Sequence, residues 1–165
     1  MKRQTFLLLV GLCLFFGQIV AQVKDTTSEA SEQREKFDPK RDPEQDLTAA
    51  IAVASKSGQR IILDVGGEWC IWCRKLDKFF QDNKDVSEFL HKNYVVLKVN
   101  WSKENKNEKF LGKYPVVKGY PHLFVLESDG KLLHSQDTGE LESGDHHDLE
   151  KVSEFLKKWA PRKGS

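Results

Sequence analysis

The 165-residue chain is poor in sulfur, with three cysteines and a single methionine, Met1. Cys70 and Cys73 stand three apart, and Cys13 lies in an apolar N-terminal stretch. One close pair cannot staple a small secreted scaffold, because so short a loop restrains the unfolded chain little. An excess of charge of one sign is lacking too. Twenty-six Lys and Arg face 25 Asp and Glu, so nothing marks a polyanion partner and nucleic acid is not expected. Internal repeats and coiled-coil segments are absent, which leaves no helical dimerisation module, and a monomer is expected. What remains, 39% hydrophobic and 31% charged, is ordinary for one soluble globular domain.

Met1-Lys2-Arg3 is a short basic start, residues 6–16 form an apolar run, and Gly17-Gln18-Ile19-Val20-Ala21 ends on a small residue. That order reads as a secretory signal peptide over residues 1–21, cleaved near Ala21-Gln22. The alternative is a retained anchor, yet residues 6–21 fall short of the roughly 20 apolar residues of a span and are broken by Gln18. A lipoprotein signal calls for a small residue before its cysteine, where Cys13 follows Leu12; Cys13 reads as a small hydrophobe. Cleavage removes Lys2 and Arg3 and turns the net charge from +1 to −1. The protein is therefore expected to be exported, periplasmic or secreted. Residues 22–41, rich in Lys, Asp, Thr, Ser, Glu and Gln, read as a disordered tether, and residues 42–165 as the folded domain.

The domain opens on Asp42-Pro43, an N-cap followed by proline at the first helical position. The helix carries Leu47, Ile51 and Val53 and stops at Ser57-Gly58. Residues 60–65 are an apolar, β-branched strand interrupted by Asp64, and Gly66-Gly67 breaks it. From Cys70 the period becomes helical: Trp72, Leu76, Phe79 and Phe80 share one face, and Arg74, Lys75, Asp77 and Lys78 the other. A short helix capped by Asp85 or Ser87 follows, then a strand over residues 94–99 and a charged, Asn-rich surface loop over 102–109. Residues 122–126 and 132–136 form a hairpin about Ser128-Asp129-Gly130-Lys131. A last helix over residues 146–159 presents Leu149, Val152, Phe155, Leu156 and Trp159. Strand–helix–strand requires a parallel pair, and the hairpin adds two antiparallel strands. The fold class is α/β, a four-stranded mixed sheet flanked by helices.

Two cysteines three apart at a helix start suit thiol–disulfide exchange. Unpaired N–H groups and the helix dipole favour an anion in the first turn, so Cys70 there is expected as the thiolate nucleophile. Cys73, one turn in and shielded, is placed to attack the resulting mixed disulfide. Two other readings stay open. One is a static disulfide. The other is half a zinc site, but His91, His122, His134, His146 and His147 show no ligand pair at finger spacing. His146 and His147, adjacent at a helix start, are expected to face solvent. No metal and no cofactor are expected.

Leu63-Asp64-Val65-Gly66-Gly67-Glu68-Trp69-Cys70-Ile71-Trp72-Cys73-Arg74-Lys75 resembles the active-site segment of thioredoxin-like proteins. Val117-Lys118-Gly119-Tyr120-Pro121-His122-Leu123-Phe124-Val125, followed by Asp129-Gly130-Lys131, resembles that family's Gly-x-Pro strand and turn. The resemblance implies the thioredoxin fold and an exported thiol–disulfide oxidoreductase of the disulfide-isomerase-like branch, acting on exported proteins and fed by a membrane electron donor. It implies that Asp64 is a buried aspartate moving protons to and from Cys73, with a pKa raised by its apolar strand, and that Lys98 is its partner. Pro121 matches the cis-proline, which would free Tyr120's backbone to bind an extended substrate. Trp69 matches the tryptophan beside the nucleophile, and Trp72 joins Trp69, Tyr120 and Pro121 as substrate-binding residues.

The departures are equally specific. Ile71-Trp72 replaces both the Gly-Pro of thioredoxins and the His-bearing pairs of oxidases and isomerases. Gly66-Gly67 replaces bulkier residues and is expected to loosen the turn before Trp69. His122 stands where thioredoxins usually carry threonine and could supply positive charge if its ring turned toward Cys70. Reductase, isomerase and oxidase directions all remain open. So do a thioredoxin-fold binding or chaperone module and a metal-assembly factor with a non-catalytic cysteine pair.

Overall fold

The computed structural model describes residues 34–162; the expected signal peptide and the tether up to residue 33 lie outside them. Helix α1 spans Pro43–Ser57. Asp42 caps it, its carboxylate accepting from the N–H groups of Glu44 and Gln45, and Gly58 ends it at φ 69°, a left-handed conformation that glycine takes without strain. Strand β1 (Arg60–Gly66), helices α2 (Ile71–Asp82) and α3 (Lys84–Asn93) and strand β2 (Tyr94–Asn100) follow. A short helix α4 (Glu108–Leu111) precedes the hairpin of β3 (His122–Leu126) and β4 (Leu132–Asp137). The strand order is β2-β1-β3-β4, with β1 parallel to β2 and antiparallel to β3. This is the mixed four-stranded sheet that the element order predicts.

Alternation along β1 divides the core. Ile61, Leu63 and Val65 enter a cluster with Ala50, Ala54, Phe110 and Phe124, on the α1 and α4 side. Ile62 enters the other cluster with Leu76, Leu90, Val152 and Phe155, from α2, α3 and the final helix. The hairpin closes on Gly130 at φ 89°, where an added Cβ would also lie 2.8 Å from the Ile51 side chain.

Four expectations require correction. The segment 34–41 is packed against the domain rather than free: Phe37 is 2% exposed, because one aromatic ring suffices to anchor a polar segment over an apolar hollow. The final helix, α5, runs Leu149–Trp159 with Asp148 as its N-cap. The residues before it form a 3-10 turn (Thr138–Leu141) and a two-residue hairpin, β5 (Glu142–Ser143) with β6 (His146–His147). Consequently Leu149, now in the first helical turn, is exposed, as is Val53 on the outer side of α1. Asn83, not Asp85 or Ser87, starts α3, and it makes no side-chain cap bond. Finally, the loop after β2 is anchored: Asn100 is buried and its Nδ2 donates to Asn105 O at 2.8 Å.

Candidate active site

Cys70 is the N-cap of α2, one residue outside the first turn, and its Sγ accepts the N–H of Cys73 at 3.0 Å. Sulfur thus occupies the place usually taken by a Ser or Asp oxygen, satisfying one of the helix's orphan donors. Cys70 and Cys73 are joined as a disulfide, with Cα atoms 5.3 Å apart. Both are buried, at 3% and 1%, so exposure barely separates them. Position does: Cys70 faces the helix N-terminus, where a thiolate is favoured.

Cys73 lies against β1. A Cβ added to Gly66 would come within 2.5 Å of its Sγ and 3.1 Å of the Phe37 ring. At Gly67 the added atom would meet the Trp101 carbonyl oxygen at 2.7 Å and the Trp69 indole. The glycines therefore do not loosen the turn, as their size suggests; they let sulfur, aromatic ring and backbone approach closely.

Asp64 and Lys98 are register partners in the parallel β1–β2 pair, so their side chains share a face. Lys98 Nζ donates to Asp64 Oδ2 at 2.8 Å and to Asp77 Oδ1 at 2.7 Å. Asp77 in turn accepts from Arg34 Nη1 at 2.8 Å, and Arg34 also pairs with Glu68. Five charges alternate in sign from buried Asp64 to half-exposed Glu68, with one negative charge in excess. Asp64 Oδ1 has no hydrogen-bond partner among the described residues. Asp64 also borders a cavity of about 20 Å³ otherwise lined by apolar side chains such as Leu76, Leu123 and Phe155. Burial raises its pKa against the opposing pull of Lys98. The two neighbouring carboxylates keep Lys98 charged, its pKa raised despite burial.

On the outer side, Trp69 is 53% exposed and donates from Nε1 to Trp101 O at 2.7 Å. Its ring meets Tyr120 edge-on at 5.6 Å, and Tyr120 stacks on Trp101 at 4.8 Å. The Tyr120-Pro121 bond is cis, and Tyr120 packs beside the cysteines. Trp72 is not part of this aromatic group. It touches the cysteines but turns its edge to His147, 5.6 Å away. His122 is buried on the α1 face, against Phe124 and 2.8 Å from Ser135 Oγ, and burial lowers its pKa. It supplies Cys70 with no positive charge.

The structure therefore pairs Asp64 with Lys98, packs both Tyr120 and Trp72 against the Cys70–Cys73 pair, joins Trp69 to Tyr120 and makes the Tyr120-Pro121 bond cis, with the Trp72 ring also meeting His147. It adds residues that periodicity hides. Asp77 belongs by pattern to the solvent face of α2, yet it stands four residues after Cys73, one turn along the same side. His147, expected in solvent, is 3% exposed, and neither ring nitrogen has a partner among the described residues. Its burial lowers its pKa to about 4. Trp101 and Arg34 carry no sequence signal of their role.

A disulfide-forming pair three residues apart at a helix N-terminus, on this sheet and beside a buried carboxylate, is the arrangement that thiol–disulfide exchange requires. The family model described as "Thioredoxin-like" matches residues 42–128, and the chain belongs to that family. Among curated relatives, Thiol:disulfide interchange protein DsbD of Klebsiella pneumoniae subsp. pneumoniae is 30% identical over 80 residues, 48% of this chain and 13% of that protein. Its counterpart in Actinobacillus pleuropneumoniae is 28% identical over 92 residues, 55% of this chain and 16% of that protein. The chain thus spans a small part of the length of these relatives. Among solved structures, a disulphide isomerase from Xylella fastidiosa Temecula1 superposes with a TM-score of 0.65 at 25% identity, covering 76% of this chain and 97% of that one. The oxidised C-terminal domain of DsbD from Neisseria meningitidis shares the fold, with a TM-score of 0.56 at 17% identity over 76% and 99% of the two chains.

Proposed function

We propose that the protein is exported and reduces or isomerises disulfides in exported proteins, receiving electrons from a membrane-bound dithiol donor. The observation that carries this reading is the Cys70 sulfur at the N-cap of α2, bonded to a Cys73 that lies over the strand bearing Asp64. In the reduced enzyme the Cys70 thiolate attacks a substrate disulfide. The Cys70–substrate bond forms, the substrate S–S bond breaks, and the released substrate sulfur takes a proton. Cys73 then passes its proton to Asp64 and attacks Cys70 Sγ. The Cys70–Cys73 bond forms, the mixed disulfide breaks, and the second substrate sulfur leaves as a thiolate and takes the second proton, while Asp64 returns its own to solvent. Two electrons and two protons reach the substrate, and the donor dithiol restores the enzyme. Asp64 and Gly66 stand two residues apart on one face of β1, about 6.6 Å along the strand, and Cys73 lies against Gly66, which sets the thiol and the carboxyl beside the same stretch of backbone. Trp69 adjoins Cys70 in the chain and Tyr120 packs beside the cysteine pair; with Pro121 they would contact the substrate chain.

The dipeptide supports a reducing or intermediate potential. Ile71 is apolar, and the Trp72 ring is turned to His147. His122 is held at Ser135, which leaves the helix N-terminus as the main stabiliser of the Cys70 thiolate. That stabilisation is on the order of 0.3–2 kcal/mol, and 1.4 kcal/mol corresponds to about 30 mV for a two-electron couple. Equilibration against glutathione, read by tryptophan fluorescence, is expected to give a potential nearer about −270 mV than about −120 mV. A value more oxidising than roughly −150 mV would overturn the reductase direction. Dithiothreitol-driven reduction of insulin tests the activity itself: the intact protein accelerates it, and Cys70→Ser does not. Equal rates with and without the protein would instead favour a binding module with an inert pair.

A further inference from the structure

Residues 34–37 precede the part of the chain that the family model matches, residues 42–128, yet they reach the middle of the site. The Phe37 ring is 2% exposed, clusters with Cys70 and Cys73, and has Lys98 Nζ 4.3 Å from its centroid. It fills the hollow over Gly66, the stretch of β1 that separates Cys73 from Asp64. Its N–H donates to Glu68 Oε1 at 2.9 Å, and Arg34 bridges Glu68 and Asp77. Downstream, Asn105 Nδ2 donates to Pro39 O at 2.9 Å. The segment is therefore held at both ends over one spot.

We propose that this segment is a working part of the reaction centre, in which Phe37 and Arg34 are positioning residues that govern proton exchange between Cys73 and Asp64. The proposal rests on the exchange reaction above. In its resolving step the Cys73 S–H bond breaks, the proton goes to an Asp64 oxygen, and the electron pair stays on sulfur to form the bond to Cys70 Sγ. Whether Asp64 can accept depends on everything facing it. Lys98 comes from β2, Asp77 and Cys73 from α2, and Arg34 from the segment, while Leu123 and the cavity side contribute only apolar surface. Phe37 and Arg34 act on Asp64 in opposite senses. The ring excludes water and so disfavours the carboxylate, whereas the guanidinium favours the carboxylate directly and offsets the Asp77 charge.

Opposite senses give the test its sign. Phe37→Ala admits water, and the Asp64 titration midpoint is expected to move down. Arg34→Gln removes a cation, and the midpoint is expected to move up. The measurement is a carbon-13 carboxyl titration of Asp64 in the full protein, paired with the pH profile of insulin reduction; both midpoints are expected to move together. Phe37→Leu keeps the hollow filled and Arg34→Lys keeps the charge, and each is expected to return the midpoint toward the parental value. A merely structural segment would lower thermal stability or the rate at every pH and leave both midpoints in place, and that result overturns the proposal. Midpoints moving in the same direction in Phe37→Ala and Arg34→Gln overturn it equally. Should Phe37→Ala fail to fold, Arg34→Gln, altering a partly exposed side chain, still decides the sign. The carboxyl titration reads the proposal even in a protein that reduces no insulin, so its failure is distinct from failure of the exchange reading.

Discussion

Ile61, Leu63 and Val65 leave β1 towards α1 into a cluster that is apolar but for His122 beside Val65, whereas Ile62, Asp64 and Gly66 leave the same strand towards α2. On that second face one position is apolar, the next holds a carboxylate against Lys98, and the third is bare so that sulfur can approach. The first face has one requirement, tight filling, and tolerates no void. The second must leave a charge partly unsatisfied and a bare position where a buried sulfur can approach the backbone, conditions that cost stability wherever they occur. The comparison teaches that stability and chemistry are divided by the pleat of one strand. A substitution should act on one and spare the other according to which side of β1 it touches.

Leu63→Ala breaks the apolar face. Its side chain is fully buried, and truncation is expected to destabilise the fold by roughly 2–5 kcal/mol, measured by urea unfolding, with the redox potential unchanged. A shifted potential would mean that the faces are not independent.

His147→Phe probes the α2 side away from the sulfur. The imidazole is buried and neutral, its pKa lowered to about 4 from an ordinary 6.5. The unfolded chain binds a proton below the ordinary value and the folded chain does not. Stability that His147 permits above pH 6.5 is therefore lost as the pH falls through about 4. The phenylalanine variant is expected to be spared that loss, on the order of 2–3 kcal/mol, when unfolding is followed from pH 7 to pH 4. Identical slopes in the two proteins would show that the ring is hydrated.

Gly66→Ala touches both properties. The new methyl would stand 2.5 Å from Cys73 Sγ, and overpacking of this kind costs about 1–3 kcal/mol. The displaced sulfur is expected to close the Cys70–Cys73 bond more slowly, seen as a lengthened mixed-disulfide lifetime. Loss of stability with an unaltered lifetime would put the strain in Phe37 instead.

Asp64→Asn is expected to have the smallest effect on stability. Its raised folded pKa means that the protonated form suits the fold. The contribution of Asp64 is full below the ordinary carboxylate range and lost as pH rises through the folded value. The variant is therefore expected to gain on the parent with rising pH in thermal unfolding. Exchange is expected to slow by up to about 10²-fold, the low end for general acid–base catalysis. Parental turnover across pH 6 to 9 would reduce Asp64 to a structural residue.

Much of this was legible in the chain. The period change at Cys70, the Asp42-Pro43 cap and the strand–turn–strand about Gly130 are local signals, and each stands where it is expected. The Asp64–Lys98 pairing was legible only through resemblance, since register is a non-local property. What stayed hidden has a common cause. Asp77 obeys the polar pattern of its helix while reaching a buried cation. His147 is charged by reputation and neutral by burial. Phe37 is one aromatic in a polar stretch whose composition alone reads as unable to fold. In all three the deciding partner is distant in sequence, where periodicity and propensity carry no information.

The account turns on Cys70 as attacking thiol and Cys73 as resolving thiol. Because the two are nearly equally buried, any difference in reactivity must come from the helix N-terminus and the bond from the Cys73 N–H. Limited alkylation of the reduced protein at mildly acidic pH without denaturant, read by peptide mass spectrometry, measures that difference. Cys70 is predicted to label first and Cys73 only on unfolding; labelling of Cys73 ahead of Cys70 would contradict the assignment.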